Sequence, residues 1–110
     1  MTTPRNILFT FQSCADLNEI WEAIAMPRSP WSAYDSARLR AAERFAERFE
    51  KLCELLPKHP EIGVARDDLH AGLCSVPLGR YAIYYRTRGD SVEVLRVLRA
   101  AQDSGLAQSG

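Results

Sequence analysis

The 110-residue sequence has no charge of one dominant sign: Lys+Arg and Asp+Glu both number 14, so the net charge is zero. A general nucleic-acid binder, which draws its affinity from a surplus of cations on phosphate, is therefore not expected, and only local patches remain for such a role. Metal-ligand spacing is also missing. Cys14, Cys53 and Cys74 are far apart, with no Cys-x-x-Cys pair and no histidine placed beside them, so no metal or cofactor is expected and the cysteines read as small apolar residues. No apolar run approaches the roughly 18 residues that span a bilayer. Arg5 and Asn6 precede only a short apolar stretch, unlike a secretion signal, so the expectation is a cytoplasmic protein with no membrane association.

What is present is ordinary for a folded domain: 46% hydrophobic and 25% charged residues, enough for a core without staples. One domain over residues 1–103 is expected, followed by a flexible tail over 104–110 with little apolar content to dock it. The clearest stretch is Arg80–Arg86 and Ser91–Leu98, two β-prone runs around the turn Arg88-Gly89-Asp90, which predicts an antiparallel hairpin. Leu73–Val76 adds a third strand, expected to stop at Pro77, with Leu78-Gly79 turning the chain. Period-two geometry sets Tyr81, Ile83 and Tyr85 against Ala82, Tyr84 and Arg86. In the last strand it sets Val92, Val94, Arg96 and Leu98 against Glu93, Leu95, Val97 and Arg99. Arg96, inward on that count, needs a buried partner, and Asp16, Asp68 and Glu93 are the possibilities.

At the other end Asn6–Gln12 predicts a strand with Ile7, Phe9 and Phe11 on one face. Ser13 with Asp16 has the spacing of a helix cap, placing a first helix over Cys14–Ala25 with Leu17, Ile20, Trp21 and Ile24 as its apolar stripe. Prolines in Met26–Trp31 mark the connection. Ser32 and Asp35 repeat the cap before a second helix over Ala33–Leu56, with a stripe of Ala42, Phe45, Phe49, Leu52 and Leu56. Its other side, from Arg38 to Glu54, alternates in sign and reads as a solvated face. The fold class is α+β: an N-terminal strand, then a two-helix antiparallel hairpin packed on a mainly antiparallel sheet of about four strands.

In that order of elements, the residues resemble the ParE branch of the ParE/RelE toxin superfamily. Ala15-Asp16-Leu17 with Ile20-Trp21 matches its first helix, and Leu56-Pro57, Gly63 and Arg66 match the segment after the second. Asp68-Leu69, Gly72-Leu73, Ser75, Gly79-Arg80-Tyr81, Ile83, Tyr85-Arg86 and Val94–Leu98, with Asp103, match the sheet. Each motif alone is weak, while together they cover about nine tenths of the chain in order. The resemblance implies the toxin of a type II toxin-antitoxin pair, of the kind that serves plasmid stabilisation, acting as a DNA gyrase inhibitor. Its implied partner is a ParD-like, ribbon-helix-helix antitoxin in a hetero-oligomeric complex.

RelE-type relatives instead cleave messenger RNA on the ribosome with lysines, arginines and a C-terminal tyrosine. Here His70-Ala71-Gly72 holds no lysine, Tyr81 stands where those relatives place arginine, and no tyrosine follows Asp103, so a binding toxin without catalytic residues is expected. Arg66, Arg80, Arg86, Arg96, Arg99 and Asp103 are the candidate target contacts, and Trp21, Ile24, Phe45 and Phe49 the candidate antitoxin contacts. An endonuclease using His70, Arg80 and Arg96 is the enzymatic alternative. An inactive, antitoxin-binding relative is the other, suggested by the neutral charge and by Cys74, which stands where ParE toxins carry arginine, as Arg99 stands where they carry histidine.

Overall fold

A computed structural model describes residues 6–25 and 35–100. Its elements are β1 (Asn6–Phe9), α1 (Phe11–Ala25), α2 (Asp35–Lys58), a short 3-10 turn (Pro60–Ile62), β2 (Val64–Ala65), β3 (Cys74–Leu78), β4 (Tyr81–Arg88) and β5 (Ser91–Arg99). They form a five-stranded sheet in the order β1-β5-β4-β3-β2, with β1 parallel to β5 and the other pairs antiparallel. The expected α+β architecture is there, with one more strand than anticipated. Two residues of exposed Val64-Ala65 carry too little pattern to announce β2.

The turn from β1 into α1 departs from the sequence reading. Thr10, not Ser13, caps the helix: its hydroxyl accepts the Ser13 N–H at 3.1 Å, and its carbonyl accepts both the Ser13 hydroxyl at 2.8 Å and the Cys14 N–H at 3.1 Å. The Thr10 hydroxyl also donates to the Leu95 carbonyl at 2.8 Å, which ties the helix start to β5. The strand therefore ends at Phe9, and Phe11 lies on the first helical turn, 86% exposed, instead of beside Ile7 and Phe9. Freed from capping, Asp16 takes the role described below.

Helix α2 starts at Asp35, so the expected start at Ala33 and the Ser32 cap lie outside the described residues. It also runs past Leu56. Pro57 sits within its last turn, where a missing N–H forfeits only one bond, and the His59 N–H still closes on the Leu55 carbonyl at 2.8 Å. Pro77 likewise lies inside β3, opposite Ala82. It is tolerated because β2 pairs only with Cys74 and Ser75, leaving the far side of β3 without a strand neighbour among the described residues at that point. Two-residue turns join β3 to β4 and β4 to β5, each with a glycine at positive φ in its first central position, Gly79 at +62° and Gly89 at +60°.

A bulge overturns the expected alternation in β5. Tyr84 pairs with Arg96 and Tyr85 with Val94, so Leu95 is an extra residue and every side chain beyond it changes face. Val97 accordingly joins Val92 and Val94 in the core under the helices, together with Ile20, Leu56, Ile83 and Tyr85. Leu95 and Leu98 pack instead on the opposite face with Tyr84, Leu73 and Leu69. That second cluster is covered by the 66–73 loop, which closes on itself through Arg66 N–H to Leu73 O at 2.7 Å and Gly72 N–H to Asp67 Oδ1 at 3.0 Å. Both faces of β5 are thus apolar and covered, as its composition suggested.

Candidate functional site

The arginines that the sequence singles out fall into two groups. The first group is neutralised locally. Arg66 holds Asp68 through two contacts of 3.1 Å, and the hydrogen bonds from Arg66 keep the Asp68 carboxyl below its ordinary pKa. Arg86 reaches Glu93 across the β4–β5 ladder at 2.8 Å, with Arg88 on the other oxygen at 3.8 Å. Arg96 meets Asp16 in a two-toothed pair, Nε to Oδ2 at 2.8 Å and Nη2 to Oδ1 at 3.0 Å. The Val97 N–H donates to the same Asp16 Oδ2 at 3.0 Å. Three donors on one buried carboxylate fasten α1 to the bulged end of β5, beyond the reach of β1. Hydrogen bonding to Asp16 also raises the Arg96 pKa further, so the guanidinium stays charged. Arg86 and Arg96 therefore share no carboxylate, and of the three possible partners for Arg96 the structure selects Asp16.

The second group lines a groove of about 560 Å³ between α2, the end of α1 and the β3–β4 turn. Arg80 enters it from the β3–β4 turn and Arg99 from the end of β5, while Arg38, Arg44 and Arg48 enter it from α2. The three α2 arginines were hidden in the sequence inside a face of alternating sign. Arg44 and Arg48, four residues apart, share one side of α2, whereas Arg38, six residues from Arg44, stands about 120° round the helix and meets them only across the groove. Asp103 lies outside the described residues.

Three of the four apolar candidates line one groove. Trp21, 46% exposed, lines a shallow groove between α1 and α2 with Leu17, Cys14, Phe45 and Phe49. Phe49 contacts Phe9 at a ring distance of 5.9 Å and Phe45 meets Tyr81 edge-on at 5.9 Å, so both phenylalanines are rooted in the core and show only part of their surface. Ile24 lines the arginine groove instead, and Phe45 is shared between the two.

The enzymatic alternative's three residues do not all meet: Arg80 stands apart from His70 and Arg96. His70 lines a cleft on the sheet face away from the helices, with Tyr84, Arg86 and Arg96, while Arg80 belongs to the arginine groove on the helix side. Among the cysteines, burial, then Glu50 and Glu54, push the Cys53 thiol up to about 11, leaving it a poor nucleophile. No described helix is long and apolar enough to cross a membrane.

A two-helix hairpin on a five-stranded mixed sheet, with an apolar groove along the helices, defines a small α+β domain. The family model for the ParE toxin of type II toxin-antitoxin systems matches residues 7–104, and the chain belongs to that family. It is 27% identical over 90 residues to Toxin ParE1 of Caulobacter vibrioides, covering 82% of this chain and 83% of that one. A solved structure described as the chromosomal ParDE toxin-antitoxin system of P. aeruginosa shares the fold at a TM-score of 0.59 and 18% identity. The match covers 87% of this chain and 96% of that one. The protein is thus the toxin half of a two-component system whose other half is an antitoxin.

Proposed function

We propose that this toxin acts in the cytoplasm by binding DNA gyrase and not by cutting RNA, and that a ParD-like antitoxin of the ribbon-helix-helix type neutralises it in a hetero-oligomer. The observation that carries the non-enzymatic reading is the state of the His70 cleft. Cleavage of a phosphodiester needs a base, an acid and a cation directed at the phosphate. Arg86 and Arg96, the cations of that cleft, are each held by a carboxylate, Glu93 and Asp16, so a phosphate arriving there meets largely compensated charge. The antitoxin reading draws on Trp21, Phe45 and Phe49, whose partly exposed rings along α1 and α2 suit the apolar face of a helical segment. Arg66, Arg80, Arg86, Arg96, Arg99 and Asp103 remain the proposed target-contact set, with Arg80 and Arg99 in the arginine groove best placed for it.

Induced expression in a bacterial host tests this. Growth arrest with altered plasmid topology and intact transcripts is the expected result, and His70→Ala keeps the arrest within about twofold of the parent, since a residue without a catalytic role contributes little. Site-specific transcript cuts that vanish in His70→Ala would establish the nuclease instead.

A further inference from the structure

We propose that the arginine groove seats an acidic segment of the antitoxin, its carboxylates received by Arg44, Arg48 and Arg80. This rests on the antitoxin being the partner, as argued above. Cations converge there from α2, the β3–β4 turn and β5, and the groove's described lining contains no carboxylate. Among the described residues, Arg44, Arg48 and Arg80 make no side-chain hydrogen bond or ion pair, in contrast to Arg66, Arg86 and Arg96, each of which holds an acid. Arg44 and Arg48, one helical turn apart on α2, repel each other, so the cluster weakens the isolated toxin and is relieved by an incoming anion. Arg48 also lies against the β3–β4 turn: a Cβ on Gly79 would come within 3.6 Å of its Nη1. The groove is therefore a charge concentration held by a helix and a tight turn.

Two features favour a peptide over a nucleic acid. The groove's other lining residues include Ile24, Phe45, Leu78 and Tyr81, and Phe45 continues into the apolar groove at Trp21, so one chain with apolar and then acidic residues can occupy both. A polyanion with charge at every nucleotide would also run onto exposed Glu43, Glu47 and Glu50, which flank the arginines on α2, whereas a peptide can confine its carboxylates to the groove.

The test uses the full chain and its cognate antitoxin, with binding followed by titration calorimetry at two salt concentrations. Each exposed arginine–carboxylate contact is expected to contribute about fivefold, so Arg44→Gln/Arg48→Gln/Arg80→Gln together weaken binding roughly 100-fold and flatten its salt dependence. The thermal midpoint of the triple variant stays at or above that of the parent, which separates lost contact from lost fold. Changing the antitoxin's acidic residues to lysine should restore affinity toward a toxin carrying Arg44→Glu and Arg48→Glu. Binding that falls with Trp21→Ala yet is unmoved in the triple variant overturns the groove while leaving the antitoxin pairing intact. No binding by the parent chain overturns both. Tighter, arginine-dependent binding of a 20-nucleotide RNA or DNA, or arginine-dependent self-association, would replace the antitoxin segment by that occupant and overturn the proposal.

Discussion

Gly63→Ala unfolds at a midpoint roughly 15–20 °C below the parent chain, a loss of about 4 kcal/mol. Nothing in the backbone at Gly63 demands glycine, since its φ of −78° and ψ of 164° suit any residue. The conflict is with a side chain. An added Cβ would fall on the Tyr85 hydroxyl, 2.8 Å from Cζ and 2.9 Å from Cε1, and Tyr85 is fully buried on β4 with no room to retreat. Its hydroxyl donates to the Pro60 carbonyl at 2.7 Å and accepts the Gly63 N–H at 3.0 Å, holding the 3-10 turn after α2 against the sheet. Burial raises the Tyr85 pKa above its ordinary value, so the neutral, donating form is the one present. The substitution therefore combines overpacking with the loss of both hydrogen bonds in a site from which water is largely excluded. Thermal and urea denaturation followed by circular dichroism check it; a shift under 5 °C would mean that the turn moves aside easily and that Tyr85 is not its anchor.

Asp16→Ala lowers stability by about 3 kcal/mol, because it strands a charged guanidinium and a backbone N–H at once. The Arg96 side chain keeps 30% of its exposure against 10% for Asp16, so water recovers part of the loss and the cost falls at the low end for a broken pair of this kind. Asp16→Asn retains one acceptor and should fall between parent and alanine. The same substitution loosens α1 from β5, so amide exchange should quicken at Val97 before it does at Val92 or Val94, whose edge is covered by β1. Equal exchange at all three would show that the pair contributes to global stability alone.

The sequence was most informative where one pattern governed a whole element. Alternation in Arg80–Arg86 and a three-and-four spacing along α2 announced a strand and a helix, and both are observed. Its failures share a cause: contacts distant in the chain overrode a local rule. Ser13 had a capping pattern, yet Thr10 takes the cap because its hydroxyl also reaches Leu95, 85 residues away, and that frees Asp16 for Arg96. Strict alternation in β5 failed at Leu95 because a bulge leaves no mark in composition beyond an apolar residue on each face. The site shows the same division. Trp21 was legible on the apolar stripe of α1, and Phe45 and Phe49 on that of α2, while the groove that unites Arg80 and Arg99 with Arg38, Arg44 and Arg48 depends on how α2 lies against the β3–β4 turn. No local spacing encodes that packing.

The most direct measurement is DNA supercoiling by purified gyrase titrated with the purified toxin, alone and after addition of its antitoxin. Dose-dependent loss of supercoiling, restored when the antitoxin is bound, is the predicted result. Unimpaired gyrase at toxin concentrations that arrest growth, together with ribosome-dependent cutting of a messenger RNA by the same preparation, would contradict the account.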